Sequence, residues 1–259
     1  MKRLIFDEDH DMFRDGVRRF MQSEIEPHVE KWREDGCCDP AAFIKAGDQG
    51  LLCMWADEKY GGIGIEDFRF EQVVIEETIR HGDISLFLSL HSRLVGPYIG
   101  HLGSESLKER LLPKCISGET ILGIAMTEPN AGSDLAGIKS KATRDGDDWI
   151  LNGSKTYISN GINGGAFVVA ARTVPDKSHG IGLFVVESDM EGFSRGRNLK
   201  KMGLKAQDTA ELFFENVRVP AENVLGDPEK GFYSLMHFLA EERLISACQE
   251  VAHAQVAFD

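Results

Sequence analysis

Apolar residues recur at helical spacing in the first half of the chain and in short solid runs in the second. Phe13, Val17, Phe20 and Met21 stand at i, i+4, i+7 and i+8, which predicts one face of an amphipathic helix. Pro27 biases Glu26 away from helical angles, so that helix is expected to break there. Tyr60-Gly-Gly-Ile-Gly64 predicts a loop. Phe68–Ile79 and Ile84–Val95 predict two further helices, the second ending before Gly96-Pro97, and Ser106-x-x-Glu109 fits a capping box. After Ile121 the texture changes. Trp149–Leu151, Phe167–Ala170, Gly182–Val186 and Leu212–Val219 are strand-length runs between Gly, Asn and Asp clusters, and their number suggests an antiparallel sandwich or barrel. Helical spacing returns at Gly231, where Phe232, Leu235, Met236 and Leu239 share a face, and runs to Asp259 without a stop signal, as if the chain ended inside a helix.

Composition narrows the partners. The chain has 259 residues, 42% of them apolar, and a formal net charge of −13 from 29 basic and 42 acidic residues. Such a balance argues against nucleic acid and against anionic membranes, which need clustered Lys and Arg. No apolar run approaches the roughly 18 residues of a bilayer span. The N-terminus has no signal-peptide core and is too acidic for an organelle presequence, so a cytoplasmic protein, or the mature form of an imported one in the mitochondrial matrix, is expected. The five cysteines lack a C-x-x-C spacing. They predict neither zinc nor a dithiol motif, only thiols packed as small hydrophobes in a reducing compartment. No dinucleotide glycine fingerprint, phosphate loop, nucleophile elbow or metalloprotease helix is present, and no metal is expected.

Three polar segments remain. In Ala125-Met-Thr-Glu-Pro-Asn-Ala-Gly-Ser-Asp134 an expected strand meets a loop in which Thr127 and Ser133 can donate hydrogen bonds and Gly132 allows close backbone approach. On its own this is a polar turn, either structural or ligand-binding. Asn152-Gly-Ser-Lys-Thr-Tyr-Ile-Ser-Asn-Gly161 sets the ring of Tyr157 near the hydroxyl of Ser159, suited to stacking or equally to an ordinary surface strand. Lys201-Met-Gly-Leu-Lys-Ala-Gln-Asp-Thr-Ala210 says little alone.

Together, in order and spacing, the three segments resemble the acyl-CoA dehydrogenase family over essentially the whole chain, and most closely its long-chain type. The matching stretches are Met126–Asp134, Tyr157-Ile-Ser159, and Met202–Thr209 followed by Phe-Glu-Asn-Val-Arg-Val-Pro220. The resemblance implies an α+β multidomain fold: a helical N-terminal domain (1–121), a middle antiparallel β-barrel or sandwich domain (122–230), and the first helix of a truncated C-terminal four-helix bundle (231–259). It implies FAD as cofactor, held by Ile124, Ala125, Met126, Thr127, Ser133, Tyr157, Ile158 and Ser159. The family usually has Trp where Tyr157 stands, and the ring's role is expected to survive. An acyl-CoA substrate would lie along Ser133, Ser178, His179, Tyr233, Ala240, Glu241, Glu242 and Arg243. Electron-transferring flavoprotein would be the oxidant and the complete protein a homotetramer or homodimer. An oxidase that passes electrons to oxygen, and a non-catalytic flavin- or CoA-binding fragment, are the alternatives.

Desaturation of a thioester needs a desolvated base near the α-proton, and a flavin to carry the redox chemistry. In the long-chain and isovaleryl types the base sits on the first helix after the β domain, just before an Arg, which is the position of Glu242. Helix spacing agrees independently. Leu235, Phe238, Leu239, Ile245 and Ser246 surround position 242, so Glu242 is expected on an apolar face with a raised pKa. Glu241 points about 100° away, toward His237 and Cys248. The competing reading of Glu242 is a surface carboxylate paired with Arg.

Overall fold

The computed structural model describes residues 4–81 and 83–259. Helix α1 (Glu8–Phe20) starts where the Asp7 carboxylate accepts from the amides of Asp9 and His10, which satisfies donors that a helix start leaves open. Val17, Phe20 and Met21 are buried on its expected face and Phe13 packs beside them. The break at Pro27 does not occur. The chain widens into a π-turn (Met21–Ile25), then tightens into a 3-10 turn (Glu26–His28), and Glu26 keeps helical angles, φ −50° and ψ −41°. Pro27 falls in the first turn of that new segment, where its missing N–H leaves no bond unmade.

Helices α2 (Val29–Asp35), α3 (Ala41–Asp48) and α4 (Phe68–His81) follow. The next expected helix differs at both ends. Residues 83–87 are non-helical, and helix begins at Leu88. A π-turn (Leu90–Val95) then leads straight into α5 (Gly96–Leu102), so Gly96-Pro97 opens a helix instead of closing one. Helix α6 (Glu105–Ile116) is capped by Ser104, whose Oγ accepts from the Leu107 amide at 3.1 Å, whereas Ser106 donates to Glu222 at 3.0 Å. That register buries Leu107, Leu111 and Leu112, and so the cap stands two residues earlier than the capping-box spacing suggests.

Eight strands form one sheet: β1 (Leu122–Ala125), β2 (Lys141–Asp145), β3 (Asp148–Ser159), β4 (Ala166–Arg172), β5 (Ile181–Glu187), β6 (Phe193–Arg195), β7 (Thr209–Val219) and β8 (Val224–Leu225). The order is β6-β7-β3-β2-β4-β5-β8, with β1 beside β4. The sheet is mixed, not purely antiparallel. β1 runs parallel to β4, and β2 meets the end of β4 in parallel through Lys141 and Arg172. The β2–β3 hairpin lies between β1 and β4 in sequence and serves as the crossover that parallel neighbours require.

β4 explains why the strand runs read as solidly apolar. Ala166, Val168 and Ala170 face the helices with Tyr98, Leu107 and Leu111. Phe167, Val169 and Ala171 face a second core with Phe184, Val186, Leu212 and Phe214. With both faces covered, alternation by polarity disappears. Each fully buried large side chain contributes about 1.5–3 kcal/mol before entropy is counted. Helix α7 (Gly231–Phe258) then leaves the sheet, burying Leu235 against its helical side and Ile245 and Ala252 against Ile75 and Ile79 of α4. Of its expected stripe, Leu235 is buried, Phe232 and Leu239 are half-buried, and Met236 is exposed. Among the described residues no helix is long and apolar enough to cross a membrane.

Candidate functional site

The loop after β1 is fixed from below. Lys155, on β3, is fully buried, and its Nζ meets Glu128 Oε1 at 2.8 Å and donates to the Met126 carbonyl at 3.1 Å. Glu128 also accepts from the amides of Lys139 (2.6 Å) and Ser140 (3.0 Å). Burial pulls the Lys155 ammonium down to about 8 against the attraction of Glu128. Burial pushes the Glu128 carboxyl up, but Lys155 and the amides outweigh it and leave it below the ordinary value. The Thr156 amide donates to the Thr127 carbonyl at 2.9 Å, tying the loop to β3. Within the loop, Glu128 and Ala131 form an antiparallel bridge. Thr127 and Ser133 are thereby held at the surface side of a rigid, polar platform.

At the end of β3 the pairing with β7 slips between Lys155 and Ile158, a bulge that turns Tyr157 outward. Its ring is 70% exposed and its backbone is left-handed, φ +58°. A bulky residue in that region is strained, and such strain marks positions held for a purpose. Ile158 points into the core, Ser159 and Ile124 are half-buried, and Ala125 is fully buried within the sheet, so Ala125 offers a ligand only backbone. The Met202–Thr209 segment divides. Met202 is 99% exposed, whereas Gln207, Asp208 and Thr209 are buried. Asp208 accepts from the amides of Ile162 (2.6 Å) and Asn163 (3.1 Å), and its carbonyl takes the Asn160 amide. This segment therefore braces the turn after Tyr157.

Helix α7 closes the other side. A cavity of about 310 Å³ is lined by Met126, Thr127 and Ser133 from the loop, by Leu235, Met236, Leu239, Glu242 and Arg243 from α7, and by Tyr98 from α5. Glu242 is half-buried there and faces the loop hydroxyls from an apolar wall. Burial raises its carboxyl above the ordinary value, although Tyr98 and Arg243 pull it back. The Tyr98 hydroxyl donates to Glu242 Oε1 at 2.7 Å. Sequence reasoning missed Tyr98, because ending the helix at Gly96-Pro97 left it in no element. It also missed Lys155 and Glu128. The usable signal was a lysine at an inward position of a strand, two residues on from Gly153 and four from buried Leu151, which calls for a buried counter-charge.

The remaining substrate candidates do not converge on this cavity. Tyr233, Ala240 and Glu241 line a second space of about 790 Å³ on another side of α7, with His101, Lys230 and His237. Glu241 is paired with Arg93. The His179 ring stacks on Phe232 with centroids 4.1 Å apart and meets Tyr233 edge-on at 6.0 Å, which places its loop at the start of α7, while Ser178 is exposed.

Comparisons with known proteins place the chain in a family. Residues 7–119 match the family model of the acyl-CoA dehydrogenase N-terminal domain, and residues 123–217 that of the middle domain. The mitochondrial long-chain specific acyl-CoA dehydrogenase of Sus scrofa is 46% identical over 99% of this chain, which spans 60% of that relative. The crystal structure of an acyl-CoA dehydrogenase from Geobacillus kaustophilus superposes with a TM-score of 0.96 at 48% identity, over 99% of this chain and 68% of that one. A glutaryl-CoA dehydrogenase from Mycobacterium smegmatis in complex with FADH2 gives 0.88 at 31% identity, over 97% and 64%. This chain thus spans about three-fifths of the length of its curated relatives.

Proposed function

Because the chain belongs to the acyl-CoA dehydrogenase family, we propose that it carries the flavin and thioester site of an enzyme that introduces an α,β double bond into acyl-CoA, with Glu242 as the base. The supporting observation is that the half-buried Glu242 lines one cavity together with Thr127 and Ser133 and with the apolar side chains of Leu235 and Leu239.

The residues present fit FAD. Thr127 and Ser133 supply neutral hydroxyls on a platform that cannot drift, because Lys155 and Glu128 lock it. Gly132 has open space where a Cβ would be, so a planar group can approach the backbone. Tyr157 offers an exposed ring beside the same loop. Uncharged donors and an aromatic face suit a ring system with a polar edge. Met126, Thr127, Ser133, Tyr157 and Ser159 would hold it, with Ile124 beside them and backbone from Ala125 and Ile158. When bound, a flavin supplies the hydride acceptor.

The chain's own residues do the rest. Glu242 takes the α-proton, and burial raises its carboxyl above the ordinary value, which makes it a stronger base. Leu235 and Leu239 form the apolar wall beside it. Ser133 and Arg243 flank the thioester, and Tyr233, Ala240, Glu241, Ser178 and His179 line the approach of the CoA arm. Straight, longer acyl chains are the substrate class, and an electron-transferring flavoprotein is the acceptor.

The test is an anaerobic titration of the flavin-loaded protein with straight acyl-CoAs of graded length. Bleaching of the flavin is expected, and Glu242→Gln should bind acyl-CoA without bleaching. Normal bleaching in that variant overturns the assignment of the base.

A further inference from the structure

The base has a partner that no motif points to. We infer that Tyr98 is a positioning residue: its hydroxyl holds Oε1 of Glu242 and leaves Oε2 to take the proton from substrate. The inference rests on the reading of Glu242 as base.

Geometry carries it. The Tyr98 hydroxyl donates to Oε1 at 2.7 Å from a helix 144 residues away in sequence. Tyr98 is fully buried, and its ring lies 4.4 Å from that of Phe238, one turn before Glu242 on α7. A ring so enclosed has little freedom to aim its hydroxyl elsewhere. Oε2 of Glu242 has no hydrogen-bond partner among the described residues and belongs to the side chain that lines the cavity with Thr127 and Ser133.

The backbone before Tyr98 is built for this aim. The π-turn Leu90–Val95 is closed by the Gly96 amide on the His91 carbonyl. One extra residue in a turn rotates everything after it by about 100° relative to a plain α-helix. Gly96 allows the close approach, since a Cβ there would come within 3.0 Å of Trp55 and 3.3 Å of the Cys53 sulfur. π-Turns are concentrated at functional sites, where the irregularity re-aims a side chain.

The hydrogen bond has a chemical consequence. It favours the charged carboxylate and so works against burial, which favours the neutral acid. The other charged group lining the cavity is Arg243, also favouring the carboxylate, while Thr127 and Ser133 are neutral. Burial and the Tyr98 hydrogen bond thus pull the Glu242 carboxyl in opposite directions, and the bond also fixes which oxygen is free.

Tyr98→Phe keeps the ring and removes the donor. With 13C-labelled glutamate, the Glu242 carboxyl resonance, assigned by its loss in Glu242→Gln, should titrate about one pH unit higher in Tyr98→Phe than in the unaltered protein. In the flavin-loaded protein the acid limb of the flavin-reduction rate should move by the same amount, with the KM for acyl-CoA changed less than about twofold. Replacing Tyr98 with 3-fluorotyrosine, a more acidic donor of nearly the same shape, should move both midpoints the opposite way, and it serves where Tyr98→Phe fails to fold. Unmoved midpoints overturn the inference and leave the base assignment standing. An active Glu242→Gln variant overturns the base assignment, and with it any part for Tyr98 in the reaction.

Discussion

Lys155 and Glu128 form a buried ion pair, Nζ to Oε1 at 2.8 Å, directly beneath the loop that carries Thr127 and Ser133. The pair joins β3 to the loop after β1 and also fixes the Met126 carbonyl. Lone charges in such a setting are costly, and a pair is tolerated only when further hydrogen bonds complete it. Here two amides do so for the carboxylate.

Lys155→Met should therefore destabilise the protein by about 3–5 kcal/mol, since it strands the Glu128 charge. Lys155→Met combined with Glu128→Gln should cost clearly less than Lys155→Met alone. Urea unfolding of the two variants measures both. A single-variant loss under about 1 kcal/mol would show that water reaches the carboxylate and that the platform is not locked.

Tyr157 combines an exposed ring with left-handed backbone. Tyr157→Gly should relieve that strain and raise stability by about 0.5–1 kcal/mol, while flavin affinity falls. Thermal melting without cofactor and a flavin titration read the two effects separately. Loss of stability together with unchanged flavin affinity would make Tyr157 a structural residue only.

Local periodicity made the helices and the apolar strands legible, because Val17 or Val168 must be buried whatever the chain does elsewhere. The loop proposed to hold flavin, Met126–Asp134, was legible through the resemblance of its residues, not through its physics. What stayed hidden depends on distant partners. The parallel pairing of β1 with β4, the meeting of Tyr98 with Glu242 and the burial of Lys155 against Glu128 each join segments whose spacing has no period. The π-turns were invisible for a related reason: one extra residue in a helix leaves the composition unchanged and shifts only the face that follows.

The Asp208 carboxylate caps the turn at Ile162 and Asn163, so the most distinctive wording of its segment serves the fold. Asp208→Ala should cost about 1–3 kcal/mol by leaving two amides without an acceptor. The slope of unfolding free energy against urea should stay constant, since the exposed surface is the same. A stable Asp208→Ala protein that no longer bound flavin would instead move Asp208 into the cofactor site.

Two buried titrating groups oppose each other. Burial, with Glu241 nearby and Arg93 opposing, raises the Glu71 carboxyl to about 7, and its Oε1 has no hydrogen-bond partner among the described residues. Between about pH 4.5 and 7 the folded protein then holds a proton that the unfolded chain has lost, so stability falls as pH rises. Burial lowers His91 to about 4, while its Nδ1 accepts from the Leu122 amide at 3.0 Å and its Nε2 pairs with the Cys115 carbonyl at 2.9 Å. Between about pH 6.5 and 4 the unfolded chain holds the extra proton, so stability falls as pH drops. The two slopes cancel where the windows overlap. Glu71→Gln removes one of them without adding a charge. Its stability relative to the unaltered protein should therefore grow by about 1.4 kcal/mol per pH unit between about 4.5 and 7 and level off outside that window. Urea unfolding of both proteins across that range measures the difference, and curves that stay parallel would show Glu71 to be ionised at ordinary pH, held as a carboxylate by Arg93.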